Sequence, residues 1–249
     1  MPLARETGRM DASPSRPLPP LAASAAGDAG ERRRIGLTGG IATGKSSVGR
    51  LLAERHGLPV LDADAYARAA LAPGSPATLA VLARYGERVL ANPPADQARA
   101  NDEAAATIDR SALGTIVFAD AAERRWLEQL LHPLVRARFD AELRRLHQAP
   151  VVVLMIPLLF EAGLEGLCSE IWVVTCDPDE QLRRLQQRDG LSATAAEARI
   201  RSQWPLEQKK ALATVWIDNR QGFNELQQAV SDALTGVPAP PQELRPPEA

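Results

Sequence analysis

The chain has 249 residues, 45% hydrophobic and 24% charged, the balance of one large soluble globular domain. Its 29 basic and 31 acidic side chains leave a net charge of −2, so no global field recruits nucleic acid or an acidic membrane. The longest apolar run, 151–160, is too short for a membrane span. Cys168 and Cys176, with only three histidines, give neither zinc spacing nor a C-x-x-C redox pair; their spacing leaves a disulfide between them open, and the favoured reading is two buried reduced thiols of a cytosolic protein.

Residues 1–31 are rich in Pro, Ala and Ser, without periodicity, and read as a disordered arm. Prolines interrupt any signal-peptide core, and Glu6, Asp11 and Asp28 argue against a transit peptide. The arm is expected to be untargeted, or the product of an upstream start codon. A domain at 32–235 follows, then a disordered tail at 236–249. Within the domain a short strand at 34–37 enters a glycine-rich turn, and a helix at 46–55 carries Val48, Leu51 and Leu52 on one face. A second strand is expected at 58–61, and 65–149 is helix-like almost throughout. Trp126, Leu127, Leu130, Leu131, Leu134, Val135 and Phe139 form a packing stripe there. His132-Pro133 interrupts the stripe, and proline is expected to start or kink a helix at that point. Strands follow at 150–156, apolar enough to be buried on both faces, and at 171–175 and 215–217. Short strands alternating with helices predict a parallel α/β sheet.

Between the first strand and first helix, Gly39-Gly40-Ile41-Ala42-Thr43-Gly44-Lys45-Ser46 matches the phosphate-loop pattern G-x-x-x-x-G-K-[ST] in full. Glycines let the backbone curl so that successive N–H groups point at phosphate oxygens, and the helix behind adds its positive end. Lys45 is placed to reach the β- and γ-phosphates, and the Ser46 hydroxyl to ligate Mg²⁺. A GTPase would need D-x-x-G and N-K-x-D, and neither occurs. A transport ATPase or helicase would end an apolar strand in an acid, but the third strand runs out into Pro157-Leu158-Leu159-Phe160-Glu161. A small-molecule kinase remains. Its acceptor hydroxyl needs an orienting carboxylate, and Asp62 and Asp64 stand where the second strand opens onto the ligand crevice. Asp64 is also open to reading as a turn or helix cap.

Leu37-Thr38-Gly39-Gly40-Ile41 leading into the phosphate loop, followed by Asp62-Ala63-Asp64, resembles the dephospho-coenzyme A kinases. The likeness continues through Ile108-Asp109-Arg110, Leu131-His132-Pro133, Pro157 to Glu161, Gln187-Arg188-Asp189 and Ile217-Asp218-Asn219, and covers roughly 35–234. Ala42, Thr43 and Ser47 stand where the family usually has Gly, Ser and Thr, at positions the general pattern leaves open. The resemblance implies ATP-dependent phosphorylation of the ribose 3′-hydroxyl of dephospho-coenzyme A, with Mg²⁺. It also implies a three-layer nucleotide-kinase fold with a five-stranded parallel core, a helical acceptor-binding insertion at about 65–149 and a helical lid at about 177–205.

On that basis Asp64, Lys45 and Arg188 are the expected catalytic residues. Gly39, Gly40, Ala42, Thr43, Gly44, Lys45, Ser46, Ser47, Arg188 and Asn219 are expected at ATP, and Asp62, Asp64, Arg110 and His132 at the acceptor. His132 is equally open to a packing role, and Asn219, expected at the ATP base, to a helix cap. Arg183, Arg184, Arg188, Arg199 and Arg201 crowd the lid segment, where Arg188 is the residue expected to face the triphosphate. The partners are then ATP and dephospho-coenzyme A, without nucleic acid or membrane, for a monomer or weak homo-oligomer. A kinase for another alcohol or nucleoside, or a non-catalytic nucleotide-binding protein, is the alternative.

Overall fold

The computed structural model describes residues 32–91 and 107–236; the expected arm, the tail beyond Gly236 and the stretch 92–106 lie outside the described residues. The first half runs β1 (Arg33–Gly39), α1 (Lys45–Glu54), β2 (Val60–Asp62), α2 (Ala63–Ala70), α3 (Pro76–Tyr85), α4 (Arg110–Ala119) and α5 (Ala121–Arg145). The second half runs β3 (Val151–Met155), β4 (Glu170–Thr175), α6 (Pro178–Asp189), α7 (Ala193–Arg201), α8 (Leu206–Ala211), β5 (Val215–Asp218) and α9 (Phe223–Thr235). The strands pair in parallel in the order β2-β3-β1-β4-β5, with Leu37 in register with Met155 on one side and Trp172 on the other. The expected five-stranded parallel core is present.

Side chains alternate across a strand, so each inner strand feeds two cores. Val152, Leu154, Ile171 and Val173 pack with Val135 and Phe139 of α5. Val153, Trp172 and Val174 face the other way, onto Leu51 and Leu52 of α1 and Leu226 and Val230 of α9. Helices therefore cover both faces, which is why 151–155 reads as an unbroken apolar run. A separate cluster of Val81, Tyr85, Val89, Ile108, Leu113 and Val117 gives the helices between β2 and β3 a core of their own. Arg84 and Tyr85 both bond to Glu123, tying α3 to α5. Among the described residues no helix is long and apolar enough to cross a membrane.

Two expectations change. β2 begins at Val60 and ends at Asp62, because the Leu58 N–H turns back to Leu52 O at 3.1 Å and is lost to the sheet. Nor does Pro133 start a helix: α5 runs unbroken past it from an Asp120 cap. The missing donor frees one carbonyl of a long helix, whereas Leu131, Val135 and Phe139 are buried on both sides of the proline and hold the helix on course. Leu134 faces out and leaves the predicted stripe. Both cysteines are free, and burial pushes the Cys168 thiol up to about 12 and the Cys176 thiol up to about 11.

Candidate active site

The loop from β1 to α1 is held from below. Gly39 and Gly44 adopt φ of 148° and 102°, conformations that glycine reaches without a Cβ penalty. Thr43 is fully buried, and its hydroxyl donates to Gly40 O at 2.9 Å, so this side chain shapes the loop from inside. Gln181 of α6 donates to Ile41 O and Gln203 accepts from the Ile41 N–H, both at 2.8 Å, so two segments beyond β4 grip the loop. Ala42 sits at φ 59°, the only described non-glycine residue with positive φ. Sequence reasoning treated this position as unrestricted, whereas the backbone requires a left-handed residue there.

Lys45, the first residue of α1, donates its ammonium to Gly39 O at 3.3 Å and Gly40 O at 2.5 Å. Desolvation pushes its pKa down to about 8; nearby Lys209 adds to the fall and Asp64 opposes it. The charged form lacks a carboxylate hydrogen-bond partner among the described residues, as suits a lysine that awaits phosphate. Ser46 and Ser47 are exposed, and Ser46 lines the same cleft.

The two aspartates divide their roles in a way the sequence left open. Asp62 caps α2, accepting from the Asp64 N–H at 2.8 Å and the Ala65 N–H at 3.3 Å. The cap is therefore Asp62, and Asp64, in the first turn, has its carboxylate free to face the cleft. Its pKa is raised above the usual carboxylate range. Partial desolvation by the cleft walls is the main cause and Asp62 the second, while Arg68, Lys45 and Arg188 pull the other way. Lys45, Ser46, Asp62, Asp64 and Arg188 line one cleft of about 910 Å³, ample for two small ligands meeting end to end.

Arg184, Arg188 and Arg199 also line it, on α6 and α7. Each is pinned: Arg184 to Glu180 at 2.7 Å, and Arg188 and Arg199 to Asp189, also at 2.7 Å. The Arg199 guanidinium lies 4.9 Å over the ring of Phe118, an exposed residue of α4, so α7 touches the helices between β2 and β3.

Three expected residues are placed elsewhere. Arg110 opens α4 in solvent, donates to Arg68 O at 3.3 Å and does not line the cleft. His132 is half-buried within α5 and does not line it either, as a packing residue would not. Asn219 is buried, with its amide Nδ2 donating to Thr43 O at 2.9 Å. It supports the phosphate loop and does not line the cleft. Nor is it a helix cap, since Gly222 occupies that position for α9.

The structure adds residues the sequence did not single out. Arg68 and Arg124 line the cleft from α2 and α5; helical spacing from Asp64 could have found Arg68. Lys209 is fully buried and paired with Glu161 at 2.7 Å, while Glu161 also accepts from the Trp204 N–H at 3.0 Å. This pair ties the loop after β3 to the segment carrying α8.

Comparison with known proteins agrees with this geometry. Residues 33–225 match the dephospho-CoA kinase family. A dephospho-CoA kinase of Synechococcus sp. (strain CC9605) is 61% identical over 196 residues, covering 79% of this chain and 89% of the relative. A solved dephospho-CoA kinase from Campylobacter jejuni is 25% identical with a TM-score of 0.59, covering 83% of this chain and 98% of that one. A solved Thermus thermophilus protein superposes with a TM-score of 0.66 at 35% identity, covering 84% of this chain and 100% of that one. With a complete phosphate loop, a facing carboxylate and these relatives, the chain belongs to the dephospho-CoA kinase family.

Proposed function

We propose that this chain transfers the γ-phosphoryl group of ATP to the ribose 3′-hydroxyl of dephospho-coenzyme A, the final step of coenzyme A synthesis. The observation that carries the reading is the shared cleft, which Lys45 and Ser46 of the phosphate loop line together with Asp64, close enough for Lys45 and Asp64 to act on each other electrostatically. The loop N–H groups and the α1 N-terminus receive the phosphates. Lys45 exchanges its carbonyl contacts for phosphate oxygens as charge develops. Asp64 accepts the hydrogen bond of the attacking hydroxyl and takes its proton. Its raised pKa makes it a better acceptor than an ordinary aspartate. Asp62 acts through α2, fixing where Asp64 begins. Arg188, reaching from the lid at 177–205, neutralises charge on the transferring group, while the insertion at 65–149 holds the acceptor.

The donor set also fits Mg²⁺. The Ser46 hydroxyl makes no hydrogen bond among the described residues and borders the cleft. Mg²⁺ beside nucleotide phosphates needs only one or two protein oxygens, so a cluster of three acids, absent among the described residues, is not required. When bound, the ion offsets phosphate charge. A net charge of −2 gives no global field toward nucleic acid or an acidic membrane, and the chain is proposed to act in the cytoplasm as a monomer or weak homo-oligomer.

The test is ADP release with dephospho-coenzyme A, shikimate and adenosine offered separately, with the position of the new phosphate read by phosphorus NMR. A 3′-phosphate on dephospho-coenzyme A is the expected product. Faster turnover of another acceptor overturns the reading.

A further inference from the structure

Five arginines line the cleft, and they divide into two kinds. Arg184, Arg188 and Arg199, on the lid segment, each spend hydrogen bonds on a carboxylate. Arg68 and Arg124, on α2 and α5, spend none: their nearest carboxylates, Asp62 and Glu128, are both at 3.9 Å, beyond hydrogen-bond reach. Neither guanidinium donates a hydrogen bond to any described residue. Two forked cations are thus left with unused donors in a cleft, although eleven of the fourteen ion pairs in the described residues close to 3.1 Å or less, with Nζ or guanidinium in direct contact.

Their positions relative to Asp64 define what they suit. Arg68 is four residues beyond Asp64 on α2, hence on the same face and about one turn, ~5.4 Å, along the axis. In an adenosine whose 3′-oxygen lies at Asp64, the 5′-phosphorus is reached through five bonds, a span of about 6 Å at ordinary bond lengths. Dephospho-coenzyme A carries a diphosphate at that 5′-oxygen. Arg124 lies four residues past the Asp120 cap of α5, a helix that packs against α2, and brings a second fork to the same cleft. Two planar forks match two adjacent phosphates. The donor's phosphates are served by other groups, the loop, Lys45 and the lid arginines.

We infer that Arg68 and Arg124 are the clamp for the acceptor's 5′-diphosphate. The inference rests on the functional reading above and adds to it the residues that select a diphosphate-bearing adenosine. Arg124 carries the cleaner test, because Arg68 also acts electrostatically on Asp64.

The experiment measures KM for dephospho-coenzyme A at saturating ATP, and KM for ATP at saturating dephospho-coenzyme A. The proteins are wild type, Arg124→Gln, Arg124→Lys and Arg68→Gln. Both arginines are well exposed, so melting temperatures should stay at the wild-type value. Loss of charge-assisted hydrogen bonds should raise the acceptor KM about ten- to a hundredfold in each glutamine variant, with ATP KM little changed and partial recovery in Arg124→Lys. An acceptor KM within twofold of wild type, or a rise confined to ATP, overturns the clamp. If the wild type does not phosphorylate dephospho-coenzyme A at all, the functional reading falls and the clamp falls with it.

Discussion

Asp64→Asn separates the carboxylate's chemistry from everything else the residue does. The amide keeps size and hydrogen-bonding atoms but can neither take the proton nor carry charge. An acid–base group of this kind contributes about 10²–10⁴ to turnover, or roughly 3–5 kcal/mol of barrier. ATP should bind nearly as before, because the loop amides, Lys45 and Ser46 lie on the donor side. Stability moves the other way. A carboxylate with a raised folded-state pKa holds its proton more tightly folded than unfolded, so above its unfolded pKa it opposes folding. That opposition is relieved as pH falls through the folded pKa. At neutral pH the asparagine variant should therefore melt no lower than wild type, while kcat collapses. Asp62 is the control. Asp62→Asn keeps an oxygen that caps α2 well and should retain most activity. Asp62→Ala exposes the Asp64 and Ala65 N–H groups and costs about 1 kcal/mol of stability. The assays are steady-state kinetics with dephospho-coenzyme A, ATP binding by calorimetry, and thermal melts. If Asp64→Asn retains more than a tenth of wild-type kcat, or Asp62→Asn is the variant that collapses, the division of labour between the aspartates is wrong.

Because Lys45 titrates at about 8 in the free protein, ATP binding at pH 8 should take up about half a proton, seen as a buffer-dependent binding enthalpy; no uptake refutes the assignment. Since 8 lies below the ordinary 10.5, the unfolded chain binds this proton more tightly, and the Lys45 contribution to stability rises with pH between those values. Ala42→Gly should relieve about 1–2 kcal/mol of left-handed strain against about 0.5–1 of added chain entropy, raising the melting temperature by roughly 1–4 °C; a fall in the melt refutes it. Asn219→Ala leaves the Thr43 carbonyl buried without its donor, so it should cost about 1–3 kcal/mol and raise KM for ATP; unchanged values of both exclude Asn219 as the loop's support.

The phosphate loop and the sheet were legible because their signals are local. The glycine spacing lies within eight residues, and buried parallel strands such as 151–155 announce themselves as apolar runs. The resemblance put the chemistry on Asp64, but spacing alone did not divide the duties of Asp62 and Asp64, since these depend on where β2 stops, and a boundary two residues off exchanges the cap for the free carboxylate. Of the two outcomes expected at Pro133, a helix start is the one the structure lacks: local propensity marks a break, but burial of Leu131, Val135 and Phe139 carries α5 through it. Ala42 shows that a position free in a consensus pattern can still be constrained in φ. Asn219 and Lys209 act on loops far away in sequence, 176 residues for the Asn219 bond to Thr43, and no spacing rule reaches that distance.

Several unfavourable features of the ligand-free fold converge on this one cleft. Lys45 is held with its charge partly desolvated, Asp64 resists ionisation, Ala42 occupies a left-handed backbone, and Arg68 and Arg124 keep unused donors. Each departs from what stability alone would choose, and three of the four are complemented by one class of ligand. Phosphate favours the charged lysine and satisfies the arginine forks, whereas the attacking hydroxyl gives Asp64 both a donor and a proton. By contrast, the residues that fix these groups are satisfied already: Thr43 within the loop, Asn219 beneath it, Asp62 at its cap and Asp189 between two arginines. These four features thus fall on residues that line the cleft, while the supports named around them are hydrogen-bonded and preorganised, the arrangement that lets binding free energy act at the reacting centre instead of rebuilding the site.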